Sequence, residues 1–568
     1  MSYLWRIFYR ISVIEYYDLK TLSAREEILV MMQTPLTMTQ MIERAEKYFP
    51  KKQVVSRTSS GIHRFTYKQI GERTRRLADS LKKLGVEKGD RVGTLAWNHH
   101  RHLEAYFAIP CIGAVLHTIN IRLSPQHISY IINHAEDSIL LVDPDLIPLL
   151  ETCAAQLKSV KAYVIMTDDK VLPETKLSPI YHYEDLLAEA NPNFTYPEDI
   201  EENDPAGMCY TSATTGNPKG VVYSHRGIFL HSMALGLADS AAMSEKDIAL
   251  PVVPMFHANA WGMPFAAVWF GTSLVLPGPY FTPKLLAELI ESEKVTITAG
   301  VPTIWLGLLK ELDEGSYDLS SLRGVLCGGS AAPKGMIKAF EQRHNVPFLH
   351  AYGMTETSPL VVISTLKSYQ ENLDYEERLE IRAKQGVLVP GLSIKVVGKD
   401  GEVAWDGKEM GELCIKGPWI ASEYYKDERT LDAFRDGWLH TGDVVTIDEE
   451  GFVKIVDRTK DLIKSGGEWI SSVDLENALM AHESVFEAAV VAVPHEQWQE
   501  RPVACVVLKD AYKDKVTKEE LMAFLTPQFA KWWLPDEILF LEEIPKTSVG
   551  KFLKMTLREQ VQKEVLRK

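Results

Sequence analysis

The segment YTSATTGNPKG, residues 210 to 220, gathers Thr211, Ser212, Thr214, Thr215, Gly216 and Lys219 within eleven positions. Hydroxyls, the backbone N–H groups of a glycine-containing loop and one ammonium are what a polyphosphate takes as partners. The loop is not of the Walker A type, because Lys219 precedes the last glycine and no Gly-Lys-Ser/Thr follows, so a P-loop ATPase reading loses its main support. AYGMTETSP, residues 351 to 359, sets Glu356 between Thr355 and Thr357. Carboxylate and phosphate oxygens are the donors that Mg²⁺ prefers, and a carboxylate attacking phosphorus needs the phosphate charge neutralised first. The same Thr-Glu-Thr triplet would also serve as a helix N-cap. CGGSAAP, residues 327 to 333, offers Gly328, Gly329 and Ser330 where a ligand could pass close to backbone, although glycines also mark ordinary turns. PMFHANAWGMP, residues 254 to 264, spaces His257 and Trp261 one helical turn apart among small and apolar residues, and VPTIWLGLL, residues 301 to 309, brings Trp305. Each of these side chains either lines a pocket or packs in a core.

The elements that must position these groups alternate between helix and strand. Thr66 and Gln69 read as a capping box, Ile70, Leu77, Ala78, Leu81 and Leu84 recur at helical spacing, and Gly85 is a stop. DRVGTLAW (90 to 97), AVLHTIN (114 to 120) and SILLVD (138 to 143) read as buried strands, with LEAYFAIPCIG and SPQHISYIINHA as helices between them. Such alternation predicts a mostly parallel α/β sheet with ligands at the carboxyl ends of its strands. After Val387 the texture changes to short strands with glycine turns, as in LSIKVVGKDG, GELCIKG and DVVTIDEEGFVKIVDR. The charged stretch DRTKD, 457 to 461, closes that series, and a small α+β unit follows. The fold class is therefore α/β: a large N-terminal domain of doubly wound sheets plus a β-rich subdomain, with a small mobile α+β C-terminal domain. The boundaries expected are 1–31 for an N-terminal extension, 32–457 for the large domain and 458–568 for the small one.

A chain of 568 residues is too long for one ordinary core. At 46% hydrophobic and 24% charged it has a globular composition, and 62 basic against 77 acidic residues give a net charge of −15. With no dense run of Lys and Arg, there is no broad positive field for a nucleic-acid backbone. Six cysteines, none in a CxxC pair or at zinc-like spacing, fit reduced thiols in a cytoplasmic setting. Residues 3 to 17 are apolar but carry Arg6, Arg10 and Glu15, too short and too charged to span a bilayer. As a helix they would show an apolar stripe suited to peripheral membrane contact; the alternatives are a leader or a helix packed on the body.

In type and order these segments resemble the adenylate-forming superfamily of acyl-CoA synthetases, luciferases and peptide-synthetase adenylation domains, from about Thr34 to the C-terminus. The resemblance implies ATP, Mg²⁺ and coenzyme A as co-substrates and cofactor. It makes Thr211, Ser212, Thr214, Thr215, Gly216 and Lys219 the phosphate loop, with Gly328, Gly329, Ser330, Tyr352, Gly353 and Ile455 around the nucleotide. Thr355 would touch the α-phosphate, and Glu356 and Thr215 would hold Mg²⁺. The longest match, LHTGDVVTIDEEGFVKIVDRTKDLIKSGGEWIS, residues 439 to 471, implies Asp443 and Arg458 on the ribose hydroxyls and Lys460 as the hinge of the small domain. A carboxylate facing a vicinal diol can accept two hydrogen bonds, which gives Asp443 a physical motive for that role. Lys464, Ser465, Gly466 and Gly467 would form the CoA loop, and Trp469 either covers the adenine or belongs to a core.

PKTSVGKFLK, residues 545 to 554, resembles the C-terminal signature whose lysine, here Lys551, completes the adenylation site. His257 would lie by the substrate carbonyl, Trp261 would stand where some fatty-acid ligases carry an aromatic gate, and Trp305 would line the same pocket. One departure is Ala213, where the family usually has Gly; its Cβ excludes some backbone conformations. The function implied is acid–CoA ligation through an acyl-adenylate, with a medium- or long-chain fatty acid as substrate and a short-chain thioether or aryl acid as the alternative. A catalytically silent nucleotide- or acyl-CoA-binding protein is the alternative of another class, and it would be expected to lack Glu356 or Lys551. The partners expected are small molecules, with homodimerisation left open.

Overall fold

The computed structural model describes residues 31–211, 216–466, 468–547 and 551–565. Met31–Leu36 belongs to a unit of its own, separate from the unit that begins at Thr37. The apolar segment 3–17, the loop residues Ser212, Ala213, Thr214 and Thr215, and Gly467 lie outside the described residues.

Helix Tyr67–Lys83 carries the full capping box: the Gln69 N–H donates to the Thr66 hydroxyl and the Thr66 N–H to the Gln69 side chain. Two orphan N–H donors are thereby satisfied at its start. Its inward face buries Ile70, Leu77, Ala78 and Leu81, and Gly85 turns the chain away at φ 86°.

Two large sheets follow from the alternation of helix and strand. The seven-stranded sheet runs Ile180–His182, Ala162–Ile165, Asp137–Val142, Arg91–Leu95, Val115–Thr118, Pro205–Tyr210, Gly220–Ser224. It is parallel except at its last pair. The nine-stranded sheet contains Phe348–Gly353, Gly324–Cys327, Ile297–Gly300 and Ile248–Pro251 as parallel neighbours. Strands covered on both faces read as apolar runs, and Asp137–Val142, apolar from Ile139 onward, is buried at every position.

Beyond Val387 a six-stranded antiparallel sheet is built from short strands, among them Ser393–Gly398, Gly411–Lys416, Trp438–Ile447 and Val453–Arg458. Ile463–Ser465, the next strand along the chain, belongs to a different, five-stranded sheet that packs against helix Ser472–Met480. A buried pair, Lys554 to Glu476 at 2.6 Å, ties the last helix to this sheet's core, and the Asp457 carboxylate accepts the Ser472 N–H at 2.9 Å. All six cysteines are buried and none forms a disulfide. No helix among the described residues is long and apolar enough to cross a membrane.

Candidate active site

Strand Pro205–Tyr210 ends at the hydroxyl-rich loop, and the loop's two ends are tied together. The Thr211 N–H donates to the Lys219 carbonyl at 2.9 Å and the Lys219 N–H to the Thr211 hydroxyl at 3.2 Å. The Lys219 ammonium donates to the Tyr424 hydroxyl at 2.7 Å, and that hydroxyl donates to Glu356 Oε1 at 2.7 Å. Lys219 and Glu356 stand 3.7 Å apart, with Glu356 only 4% exposed. Burial lowers the Lys219 pKa, and the Glu356 charge opposes that shift. Tyr424 had no signal beyond a pair of tyrosines, since it returns from more than sixty positions away. The Thr355-Glu356-Thr357 triplet forms a 3₁₀ turn after strand Phe348–Gly353, braced where Tyr223 donates to the Thr355 carbonyl at 2.8 Å.

On the second side, Asp443 and Arg458 are cross-strand partners on Trp438–Ile447 and Val453–Arg458. Facing partners on one sheet surface meet directly. Here Arg458 Nε lies 2.9 Å from Asp443 Oδ1 while the Tyr352 hydroxyl donates to Oδ2 at 2.6 Å. The Asp443 carboxylate, 3% exposed, is thus held between a guanidinium and a phenol. The Arg458 pKa is raised, chiefly by Asp443, and burial raises that of Tyr352, so both remain donors. Ile455 is fixed through its N–H, which donates to the Gln385 side chain at 2.5 Å.

The C-terminal lysine closes the third side. A Cβ at Gly329, whose φ is +85°, would lie 3.6 Å from Lys551 Cε and 3.9 Å from Trp261 Cζ2. Lys551 thus runs against the turn after strand Gly324–Cys327, where the positive φ favours glycine. Burial lowers the Lys551 pKa to about 8; Arg458 adds repulsion, and Asp443 and Glu356 oppose it. Lys551 is therefore in the field of the same charges that line the other two sides. His257 is pushed down to about 3, by burial first and then by Lys551 and Arg122. Near neutral pH it is an uncharged imidazole, fit to orient a substrate carbonyl but not to carry a proton on and off.

The four-residue spacing of His257 and Trp261 is a helical turn of the unexpected hand. Ala258, Asn259, Ala260 and Trp261 have φ of 41°, 53°, 49° and 57°, and Gly262 continues at 75°. Left-handed backbone costs L-residues roughly 1–2 kcal/mol each. It is held by the Ala260 N–H to the His257 carbonyl and the Gly262 N–H to the Asn259 carbonyl, both 3.0 Å, and by Cys209 donating to Asn259 Oδ1 at 3.3 Å. The turn lays the half-buried Trp261 ring on Gly328, 3.3 Å from where a Cβ would stand.

Trp305 needs correcting: it is 0% exposed in the core of the nine-stranded sheet, its ring N–H donating to the Gly300 and Leu326 carbonyls at 3.0 and 3.3 Å. It packs that core and lines no open cavity. Ser330 is exposed and Gly353 ends its strand. Trp469 is 40% exposed beneath the Lys464 ammonium, which stands 4.9 Å from its ring, so it is not a core residue. Lys464, Ser465 and Gly466 open a hairpin whose other strand is Glu468–Ile470. Lys460 sits in a turn where the Asp461 and Leu462 N–H groups both donate to the Arg458 carbonyl, at 2.8 and 2.9 Å.

Comparison with known proteins bears on this geometry. The AMP-binding enzyme family model matches residues 42–425, and the AMP-binding enzyme C-terminal domain matches 474–551. The chain is 52% identical over 535 residues to a long-chain-fatty-acid–CoA ligase of Thermus thermophilus, covering 93% of this chain and 96% of that one. It is 42% identical over 532 residues to a medium-chain-fatty-acid–CoA ligase of Ectopseudomonas oleovorans, covering 93% and 97%. Its fold is similar to that of the anthranilate CoA ligase AuaEII solved with anthranoyl-AMP, with TM-score 0.84, 24% identity and coverage of 94% and 99%.

Proposed function

The chain belongs to the AMP-binding enzyme family, and from that membership we propose how its residues carry out acid–CoA ligation. The enzyme couples a carboxylic acid to ATP, giving an acyl-adenylate and pyrophosphate, and then passes the acyl group to coenzyme A with release of AMP. Its acid is a fatty acid of medium or long chain. The observation that carries this assignment is the convergence of Lys551 with Gly329, Trp261 and the field of Arg458, Asp443 and Glu356.

In the first step a carboxylate oxygen of the acid attacks the α-phosphorus and the bond to the β-phosphate oxygen breaks. Lys551 offsets the charge that spreads over the α-phosphate and the incoming carboxylate, and Lys219 meets the departing phosphates. Asp443 receives the ribose hydroxyls, oriented by Tyr352 and Arg458. Glu356 and Thr215 would hold Mg²⁺, since a buried carboxylate joined by hydroxyl and phosphate oxygens is a donor set this ion accepts. When bound, the ion supplies charge neutralisation at the phosphates. In the second step the CoA thiol attacks the acyl carbonyl and AMP leaves. Residues 458–568 would turn about Lys460 between the steps, bringing Lys464 to Gly467 toward CoA, with 32–457 as the stationary body and the cytoplasm as the site of action.

Incubation with ATP, Mg²⁺, CoA and palmitate should give AMP and pyrophosphate in step with acyl-CoA. ADP and phosphate as the nucleotide products would remove the adenylation mechanism.

The size of the acid is set, on this reading, by Trp261 beside His257. Trp261→Ala should move preference toward longer or bulkier acids, by a few-fold at most per methylene, about 0.8 kcal/mol. Because Trp261 is only half-buried, its loss should cost less stability than the ~3–5 kcal/mol of a fully buried aromatic. Measuring kcat/KM from propionate to palmitate, alongside Tm, checks both; an unchanged ranking of acids would end the pocket assignment.

A further inference from the structure

Strand Trp438–Ile447, which carries Asp443, does not run in simple register with its neighbour Gly411–Lys416. Glu412 faces Val444 and Cys414 faces His440, so Thr441, Gly442 and Asp443 together stand opposite the single residue Leu413. A bulge of this kind re-aims a side chain but strips the ladder of partners. Side chains replace them here. The Thr441 hydroxyl donates to the Leu413 carbonyl at 2.8 Å and accepts the Asp443 N–H at 3.1 Å. Glu412 makes the remaining links: its Oε1 accepts the Gly442 N–H at 3.1 Å and its Oε2 lies 2.9 Å from His440 Nδ1. Gly442 itself has φ +71°, open to glycine, and while Glu412 takes its N–H, its carbonyl accepts the Thr459 N–H and hydroxyl at 3.0 and 3.1 Å.

Glu412, Cys414 and His440 also have the mutual spacing of metal ligands, within 4.8 Å of one another. A cation already stands there. Arg435 Nη2 is 3.0 Å from His440 Nδ1 and 3.8 Å from Glu412 Oε2. The cluster therefore reads as a strut.

We propose that Glu412 is a positioning residue for nucleotide recognition, clamping the Gly442 N–H and His440 so that the bulge presents Asp443 to the ribose. This rests on the assignment of Asp443 to the ribose hydroxyls. Glu412 acts on ATP only through that contact, so its loss should be felt by nucleotides that have the ribose hydroxyls and not by one that lacks both.

The test compares ATP with 2′,3′-dideoxy-ATP, at saturating palmitate and CoA, for the native enzyme and its Glu412→Ala, Glu412→Asp and Asp443→Ala variants. A hydrogen bond to a buried carboxylate gives the native enzyme a roughly ten- to hundredfold preference for ATP in kcat/KM. Asp443→Ala abolishes that preference. Glu412→Ala should lower kcat/KM for ATP about as far, leave 2′,3′-dideoxy-ATP within about threefold, and so collapse the ratio toward one. Glu412→Asp keeps the charge but, shorter by one methylene, cannot span to Gly442; it should do the same and carries the test if the alanine variant does not fold. A Glu412 variant that loses both nucleotides equally and keeps the native ratio overturns the inference while leaving the ribose assignment intact. A native enzyme without any preference removes the ribose assignment, and the inference with it.

Discussion

Lys551→Ala lowers acyl-adenylate formation by a hundredfold or more, the ~3 kcal/mol that one charged transition-state contact supplies, and leaves thioester formation from supplied acyl-adenylate within a few-fold. The asymmetry follows from where Lys551 stands, against the Gly329 turn and in the field of the Asp443–Arg458 pair. On the proposed mechanism Lys551 serves only the adenylating arrangement, and the turn about Lys460 withdraws it before a thiol displaces AMP. The pH dependence has a definite sign. Burial lowers the Lys551 pKa to about 8 in the free enzyme, and only the protonated amine can offset phosphate charge. The kcat/KM for ATP in adenylation should therefore be full below that value and fall as pH rises through it. The alanine variant should lack this alkaline limb. Single-turnover release of pyrophosphate across the pH range reads both effects, and equal losses in the two half-reactions would count against the assignment.

Glu356→Gln should cost adenylation roughly 100- to 1,000-fold, for two reasons that act together. A neutral amide is a poorer donor to Mg²⁺ than a carboxylate. It also removes the charge 3.7 Å away that opposes the lowering of the Lys219 pKa by burial. Tyr424→Phe separates the two, since it deletes only the hydroxyl that links Lys219 to Glu356 and should cost about tenfold or less. Pyrophosphate release measured over a Mg²⁺ titration checks this. A glutamine variant within tenfold of the native rate at all Mg²⁺ concentrations would show that Glu356 is not the metal ligand.

The parts of this fold legible in the sequence are those decided locally. Helix Tyr67–Lys83 announces itself through a capping box, a 3.6-residue apolar stripe and a terminal glycine, each within a few residues. Strands such as Asp137–Val142 are legible because burial on both faces leaves residues 139–142 as an unbroken apolar run. What failed to show depends on distant returns. Tyr424 reaches Glu356 from a loop whose path no local pattern reveals, and Glu412 acquires its role only from a slip in strand register. The two tryptophans were indistinguishable by composition, each set among apolar neighbours. Only packing tells Trp305, with its ring N–H spent on two core carbonyls, from Trp261 on the Gly328 turn. The hand of the Ala258–Trp261 turn was hidden too, because its two alanines favour a right-handed helix and Asn259 is the one residue in it at ease with positive φ.

That hand limits how the enzyme's acid preference can drift under selection or design. At the proposed acid pocket, position 261 sits at φ 57°, so a replacement is sieved by the main chain before it is sieved by volume. Glycine and asparagine enter freely, unbranched side chains bear about the strain already present, and valine, isoleucine or threonine meet the steric wall that bars branched residues from this region. Widening the pocket is therefore within reach of single substitutions. Widening it only part-way with branched aliphatics is not, and variants of that sort should arise on neighbouring strands and not in this turn.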